Sequence, residues 1–186
     1  MTTIFFVRHA QPNYNNHDDL TRELTEKGLA DRMKVVDVLQ ETTVDAVLSS
    51  PYQRAVDTVQ PLADLWGLTV ETDVDFRERK VGDGWLEDFT SFAKCQWSDF
   101  DFALECGESL RQVQARNLAA LTRVLERYAD QTVVIGTHGT ALSTLVEYFS
   151  PGFGYEGFDR IRGVMPWMVR MTFEGQTCMG IEEMDL

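Results

Sequence analysis

The stretch FFVRHAQPNYN, residues 5–15, joins a short apolar run to an Arg-His pair and then turns polar at once. Together with the two residues before it, the apolar part gives TIFFV at 3–7, which is short and apolar enough to predict a buried strand. Arg8 and His9 follow directly after that strand. In open α/β sheets, ligands bind beyond the carboxyl ends of the strands, so the residues after each strand are where we expect a site.

Further apolar runs predict the rest of a sheet. Residues 44–50 and 132–139 each predict a buried strand, and residues 68–72 predict a further strand between them. Two late runs at 166–173 and 177–184 predict a hairpin at one edge of the sheet. Because the earlier strands alternate with helical patterns, the sequence favours an α/β fold with a mostly parallel sheet that is covered on both faces.

The predicted helices have clear start and stop signals. One begins at Thr25 and is continuous to Gln40, with apolar residues at helical spacing. The next begins at Pro51 after the capping hydroxyl of Ser50, bends at Pro61 and stops at Gly67. Two more are predicted from Gly107 and from Ala141.

The length of 186 residues suits one domain, 1–186, with a substantial core. Within that domain, segment 76–106 has a mixed pattern rich in aromatic and acidic residues, and we predict an inserted lobe or lid there. The net charge of −13 disfavours binding to nucleic acid or to an anionic membrane. Composition leaves the oligomeric state open, with a dimer as one option.

The three cysteines, Cys95, Cys106 and Cys178, are an odd number with no paired spacing, which predicts free thiols in a reducing compartment. The first ten residues lack the basic and apolar regions of a signal peptide, and no apolar run approaches the roughly 20 residues of a membrane helix. We therefore expect a cytoplasmic protein.

Chemistry-bearing side chains collect at the predicted strand ends. Arg8 and His9 follow the first strand, Arg54 lies one turn into the helix after the second, and His138 follows the fourth. Two guanidinium groups offer forked donors that match phosphate oxygens. Nearby positive charge lowers the pKa of an imidazole, which favours the neutral, nucleophilic form. This set predicts phosphoryl transfer by a neutral His9 without a metal or cofactor, but it lacks an acid for the leaving group.

Six stretches, taken in order, resemble the motif series of the histidine phosphatase superfamily, also called phosphoglycerate mutase-like. They are VRHAQPNYN, LTEKG, LSSPYQRAVDT, FRERKVGDGW, GES and IGTHG, and they cover about the first three-quarters of the chain. The resemblance implies a three-layer α/β/α sandwich with a lid segment. It also implies that His9 is phosphorylated during turnover.

The same resemblance implies roles for further residues. Arg8, Arg54 and His138 would surround the phosphate, and Asn15 falls where the family often has an asparagine in the phosphate pocket. Glu78 matches the position of the proton donor. Two departures stand out: Ala10 replaces the usual glycine after the histidine, and Glu78 is flanked by two arginines. Glu87 and Asp88 are alternative acids.

Other patterns are weaker. Residues 16–19, NHDD, could suggest a metal site, although adjacent carboxylates in a polar loop are usually solvated, and His17 is better placed to line the mouth of a pocket. The run CGESLR at 106–111 resembles a cysteine-phosphatase loop but is one residue too short. The aromatic residues between 85 and 102 fit either contacts with the organic part of a substrate or the packing of a small lobe.

These observations predict a metal-independent phosphomonoesterase that hydrolyses a small phosphorylated metabolite through a phosphohistidine. A phosphoglycerate mutase-type transfer is the nearest alternative. A non-catalytic phosphate-binding module on the same scaffold is a third. The sequence does not determine the substrate.

Overall fold

The computed structural model describes residues 1–186, with six strands, seven α-helices and one turn of 3₁₀ helix at Val74–Phe76. The strands are β1 (Thr2–Arg8), β2 (Ala46–Ser49), β3 (Val70–Thr72), β4 (Thr132–Thr137), β5 (Trp167–Glu174) and β6 (Thr177–Met184). The helices are α1 (Glu26–Asp31), α2 (Met33–Leu39), α3 (Gln53–Trp66), α4 (Phe89–Ser98), α5 (Leu110–Arg127), α6 (Gly139–Phe149) and α7 (Gly154–Ile161).

All six strands form one sheet in the order β3-β2-β4-β1-β5-β6. The first four in that order are parallel, whereas β5 runs antiparallel to β1 and β6 antiparallel to β5. The predicted α/β class with a mostly parallel sheet is therefore confirmed, and so is the hairpin at one edge. β4 lies between β1 and β2, so the ends of these three strands meet at one place.

The sheet is covered on both faces, because its central strands are buried on both sides. Along β1, Ile4 and Phe6 belong to one hydrophobic cluster, which includes residues of α5, α6 and α7. Phe5 and Val7 point the other way into a second cluster with residues of α2 and α3. This alternation follows from the two-residue repeat of a strand, and it produces the three layers.

The helix predicted from Thr25 is wrong as a single element. The structure has α1 and α2 instead, separated at Arg32, which ends one helix and begins the other. Gly28 lies against the loop that follows β1, since a Cβ there would stand 2.3 Å from the carbonyl oxygen of Gln11. The guanidinium of Arg32 also donates to the Asp57 carbonyl. These contacts position α1 and Arg32, whereas α2 packs against the sheet. The two helices are therefore separate elements.

The start of α3 also differs from the prediction. The helix begins at Gln53 rather than at Pro51, and Ser50 is not its N-cap. The Ser50 hydroxyl accepts a hydrogen bond from the Tyr52 N–H and bonds His138 instead. The predicted stop is confirmed, because Gly67 caps the helix with φ +64°, a left-handed conformation that glycine adopts without steric cost.

Segment 76–106 contains a loop followed by α4, and the sequence analysis did not predict that helix. Phe92 and Trp97 of α4 are buried, and Trp97 packs on Phe158 of α7 with ring centroids 5.6 Å apart. Helix α7 was not predicted either. The role of the segment as a lid stays a prediction. The three cysteines are free, as predicted, and no helix is both long and apolar enough to cross a bilayer.

Candidate active site

The sheet register brings His9 and His138 together. Arg8 of β1 is paired with Thr137 of β4, and the His9 N–H continues this ladder by donating to the Thr137 carbonyl at 3.1 Å. His138 is therefore beside His9, one residue after parallel strands end. The two rings meet edge to face with centroids 5.3 Å apart. Two imidazoles from distant parts of the chain thus share one location.

His9 is buried, and its ring has a fixed orientation. Nδ1 lies 2.8 Å from the carbonyl oxygen of Ala10, and since a carbonyl can only accept, Nδ1 carries the proton. Nε2 is then the unprotonated nitrogen. Burial, followed by the positive charges of Arg54 and Arg8, lowers the pKa of His9 well below its usual value. The direction agrees with the prediction, but burial is the larger cause.

Ala10 is accommodated at the position where the sequence departs from the motif that it resembles. The residue is fully buried, its N–H donates to the Thr58 hydroxyl at 3.0 Å, and its carbonyl accepts from His9. Its φ is not positive, so a side chain causes no backbone strain here. The methyl group is fully buried.

His138 is fully buried and is bonded on one side. Its Nε2 lies 2.8 Å from the Ser50 hydroxyl, whereas Nδ1 has no partner within the protein. Burial, with the charge of Arg54 as the next cause, lowers the pKa of His138 well below its usual value. Ser50 already accepts from the Tyr52 N–H. If its hydroxyl proton goes to Nε2, Nδ1 carries the proton of the neutral ring and is an unused donor.

Arg8 is anchored by backbone rather than by a carboxylate. Its guanidinium donates to the carbonyls of Ile161, Arg162 and Val164 at 2.6, 3.0 and 3.0 Å, at the end of α7. Its Nε is buried without a partner. Gly139 makes room for this side chain, since a Cβ there would stand 3.0 Å from Cζ and Nε of Arg8. Burial lowers the pKa of Arg8, yet it remains a cation.

Arg54 is buried at the first turn of α3 and is held by Asp19. It donates to the Asp19 carbonyl at 2.6 Å and to its carboxylate at 3.1 Å. The same carboxylate oxygen accepts from Arg22 at 2.8 Å. Arg22 is also buried. The sequence analysis missed Arg22 and Asp19 as site residues, because both lie in a polar loop without strand or helix periodicity.

Glu78 lies against the first turn of α6, the helix that begins directly after His138. Its carboxylate accepts from the backbone N–H groups of Arg79, Thr140 and Ala141, at 2.8, 3.1 and 3.1 Å. The first and third bonds end on Oε1, and the second on Oε2. A carboxylate has about four acceptor directions, so Oε2 retains one for a proton or a ligand.

Arg116 of α5 holds the segment that carries Glu78. It donates to the carbonyls of Asp75, Arg77 and Glu78 at 2.7, 2.8 and 3.2 Å. Glu108 accepts two bonds from the same guanidinium at 2.8 and 3.0 Å. The sequence analysis noted the GES stretch that contains Glu108 but missed Arg116, which looks like any charged residue of a long helix.

One cavity of about 440 Å³ joins most of these groups. Its wall includes all of the predicted site residues except Asn15 and His138, and it adds residues that were not predicted. The lining residues include Arg8, His9, His17, Asp19, Arg22, Arg54, Glu78, Arg79, Lys80, Trp85, Phe89, Gly139, Thr140, Phe158 and Arg162. His138 lies behind the wall, in contact with His9.

Asn15 is not brought to the cavity. It is exposed, and its N–H donates to the Asn13 side chain at 3.1 Å in a tight polar turn. Asn15 does not line the cavity, so its place in a phosphate pocket stays a prediction. His17 lines the cavity, as predicted, and stacks on Trp85 with centroids 4.3 Å apart.

The alternative acids are not part of this wall, whereas His17 and Asp19 of the predicted metal pattern are. Glu87 and Asp88 are exposed and outside the cavity lining, and Asp88 caps α4 by accepting from the Ser91 N–H. In the loop at 16–19, Asp19 binds arginines. The side chain of Asn16 bonds Glu23.

The fold and the paired imidazoles agree with the motif series of the sequence, and sequence comparison gives the family. The model of the histidine phosphatase superfamily (branch 1) matches residues 4–179. The chain therefore belongs to the histidine phosphatase superfamily, as its motifs predicted.

Relatives with different names share this scaffold. Phosphoglycerate mutase-like protein 4 of Arabidopsis thaliana is 31% identical over 167 residues, covering 80% of this chain and 71% of that protein. Putative phosphoserine phosphatase 2 of Hydrogenobacter thermophilus is 25% identical over 194 residues, covering 98% and 91%. The solved structure of mycobacterial glucosyl-3-phosphoglycerate phosphatase with VO₃ shares the fold, with a TM-score of 0.77, 21% identity and coverage of 97% and 96%.

Proposed function

We propose that this chain is a metal-independent phosphomonoesterase that hydrolyses a small phosphorylated metabolite through a phosphohistidine on His9. The observation that carries the proposal is the bond from Nδ1 of His9 to the Ala10 carbonyl. This bond assigns the proton to Nδ1 and leaves the lone pair of Nε2 as the nucleophile. The low pKa of His9, caused mainly by burial, keeps that lone pair available.

The cationic wall would hold the phosphoryl group. Arg8 and Arg54 line the cavity beside His9, and both are buried and anchored by other groups. Preorganised cations stabilise the charge of a phosphoryl transition state without reorganisation. The predicted role of His138 as a second donor to a phosphoryl oxygen has no support in the geometry, because the ring is fully buried behind the wall and does not line the cavity.

Glu78 would move the proton. In the first step, Nε2 of His9 attacks phosphorus, the bond to the ester oxygen breaks, and Oε2 of Glu78 gives its proton to that oxygen. In the second step, water attacks phosphorus, its proton goes to Oε2, and the phosphorus–nitrogen bond breaks to regenerate neutral His9. The three N–H bonds to Glu78 hold the carboxyl group in one orientation for both steps.

The proposal is tested by turnover and by trapping. The His9→Ala variant should lose about a thousandfold or more in kcat for p-nitrophenyl phosphate, because the covalent route is removed. Wild-type protein quenched during turnover of a ³²P-labelled substrate should carry acid-labile, alkali-stable label on His9. Activity that survives EDTA dialysis is also expected. Unchanged hydrolysis by His9→Ala would contradict the proposal.

The same assay separates hydrolysis from transfer. The relative named phosphoglycerate mutase-like protein 4 makes this comparison necessary. With 3-phosphoglycerate and a trace of bisphosphoglycerate, a phosphatase releases inorganic phosphate, whereas a mutase forms the isomer without free phosphate. We expect free phosphate.

A further inference from the structure

Arg79 is a buried cation that has no carboxylate partner. It lines the cavity and is only 3% exposed. Its one hydrogen bond to a side chain goes to the neutral Gln96 amide at 2.8 Å, and its Nε is buried without a partner. Burial lowers the pKa of Arg79, although an arginine stays charged. Because an uncompensated buried charge is costly, this position favours a ligand that brings a negative charge.

A second arginine contacts the same aromatic ring. The Cζ of Arg79 lies 5.3 Å from the centroid of Phe89 and 5.0 Å from that of Phe92, and Arg162 lies 5.4 Å from Phe89. Rings stabilise cations in this position. Arg162 also pairs with the exposed carboxylate of Asp159 at 3.1 Å, whereas no carboxylate contacts Arg79, so the repulsion between the two like charges at one ring is only partly compensated. An anion between or beside them would relieve that repulsion.

This pair is next to the proposed phosphoryl pocket and separate from it. Arg162 also lines the cavity, and its carbonyl accepts from Arg8. Arg79 follows Glu78 directly in the chain and extends toward α4. A group bound by Arg79 and Arg162 would therefore belong to the part of the substrate that leaves with the ester oxygen.

The net positive charge of the cavity wall also favours an anionic ligand. Six lining residues are Lys or Arg and two are Asp or Glu. Asp19 is shared by Arg22 and Arg54. A phosphoryl group would add two negative charges at Arg8 and Arg54, so its binding still leaves Arg79 without an anion.

Building on the proposed function, we propose that the substrate's leaving group carries a second anionic group, a carboxylate or a second phosphoryl group, bound by Arg79 and Arg162 beside Phe89. The preferred substrate is thus a phosphomonoester with two anionic ends. The protein's strongly negative total charge does not oppose this, since the wall itself is cationic.

Matched substrates test the proposal. 3-Phosphoglycerate and glycerol 3-phosphate differ by a carboxylate, and propanediol bisphosphate and propanediol monophosphate differ by a phosphoryl group. We expect the wild type to favour at least one anionic member by about ten- to a hundredfold in kcat/KM, the value of a charged hydrogen bond. The pair with the larger ratio identifies the anion.

The variants are Arg79→Met, which keeps the apolar packing, and Arg162→Gln. Each should lower that ratio by about tenfold or more. Arg160→Gln is the matched control: it lies on the same helix, pairs with Glu183 outside the cavity, and removes the same charge. It should leave the ratio unchanged.

Calorimetry of the same four compounds with the His9→Ala variant gives the ratio of affinities within each pair, without turnover. A ratio near one in both assays, or a loss in Arg79→Met that is equal for all substrates, overturns the proposal and leaves the phosphatase function intact. Conversely, a protein that binds the anionic compounds selectively but releases no phosphate from any substrate contradicts the proposed function alone.

Discussion

The imidazoles of His9 and His138 meet edge to face, with centroids 5.3 Å apart, in a protein where 128 residues separate them along the chain. The parallel pairing of β1 with β4 causes this proximity, because Arg8 and Thr137 are register partners. Both rings are buried among cations, so neither gains stability by taking up a proton. The fold therefore favours the neutral form of both imidazoles.

Stability should fall in mild acid because of these two histidines. Burial lowers the pKa of His9 and that of His138 well below 6.5, so the unfolded chain binds more protons than the folded one just below pH 6.5. The free energy of unfolding should then be fully retained above pH 6.5 and should decrease as the pH falls below it. Two groups give a limiting slope of about 2.7 kcal/mol per pH unit, which is approached near pH 5 where the unfolded imidazoles are almost fully protonated.

Urea unfolding between pH 5.0 and 6.5 measures this slope. In His9→Gln, which removes one of the two groups, the slope should be about half that of the wild type. Carboxylates that titrate in this pH range are common to both proteins, so their contribution cancels in the difference between the two slopes. Equal slopes in the two proteins would show that His9 is not held neutral by the fold.

Ser50→Ala should impair His138. The substitution removes the hydroxyl that bonds Nε2, and Nδ1 already lacks a partner, so the buried ring would have no hydrogen bond at all. We expect a loss of about 1–3 kcal/mol in stability and a fall in kcat larger than the change in KM, since the tautomer of His138 is no longer fixed. Ser50→Thr, which keeps the hydroxyl, is the control; equal kcat values for the Ala variant and the wild type would contradict this role.

Glu78→Gln should slow the reaction in a way that depends on the leaving group. A glutamine cannot donate a carboxyl proton, so kcat for an alkyl phosphate should drop by about a hundredfold or more. With p-nitrophenyl phosphate, which needs little protonation, the first step should survive, and the phosphoenzyme should accumulate because its hydrolysis lacks a base. Glu87→Gln is the matched control, since Glu87 is exposed and outside the cavity; the same loss in both variants would exclude the assignment.

Much of the fold was predictable because strands and helices leave local patterns. The apolar runs at 3–7 and 132–139 gave β1 and β4, and Gly67 correctly marked the end of α3. The break at Arg32 was not predictable, since it depends on contacts with Gln11 and Asp57 from other parts of the chain. Helix α7 is short, but its buried Phe158 and Ile161 have helical spacing, so its pattern was present in the sequence and was overlooked.

The site divides in the same way. His9 and His138 could be predicted because strand ends in a parallel sheet converge, a rule that needs only sequence order. Arg22 and Arg162 could not, because a loop and a short helix bring them to the cavity through tertiary contacts. Ser50 was identified but assigned to the wrong partner: its position fits an N-cap, and only the neighbouring strand shows that it bonds His138.

Arg116 should act as a positioning residue for Glu78. Its guanidinium donates to the backbone carbonyls of Asp75, Arg77 and Glu78. The carboxylate of Glu108 accepts from the same guanidinium and orients it. Arg116→Met should reduce stability by about 1–3 kcal/mol, because three backbone carbonyls lose a charged donor while Glu108 keeps Arg77 and the Lys80 N–H. It should also lower kcat about a hundredfold through misplacement of the acid. The loss in kcat should be smaller for p-nitrophenyl phosphate than for an alkyl phosphate, a dependence that destabilisation alone does not produce. Arg123→Met, on the exposed face of the same helix, should cost at most about 1 kcal/mol and leave kcat unchanged; a leaving-group-independent loss in Arg116→Met would reduce Arg116 to a purely structural role.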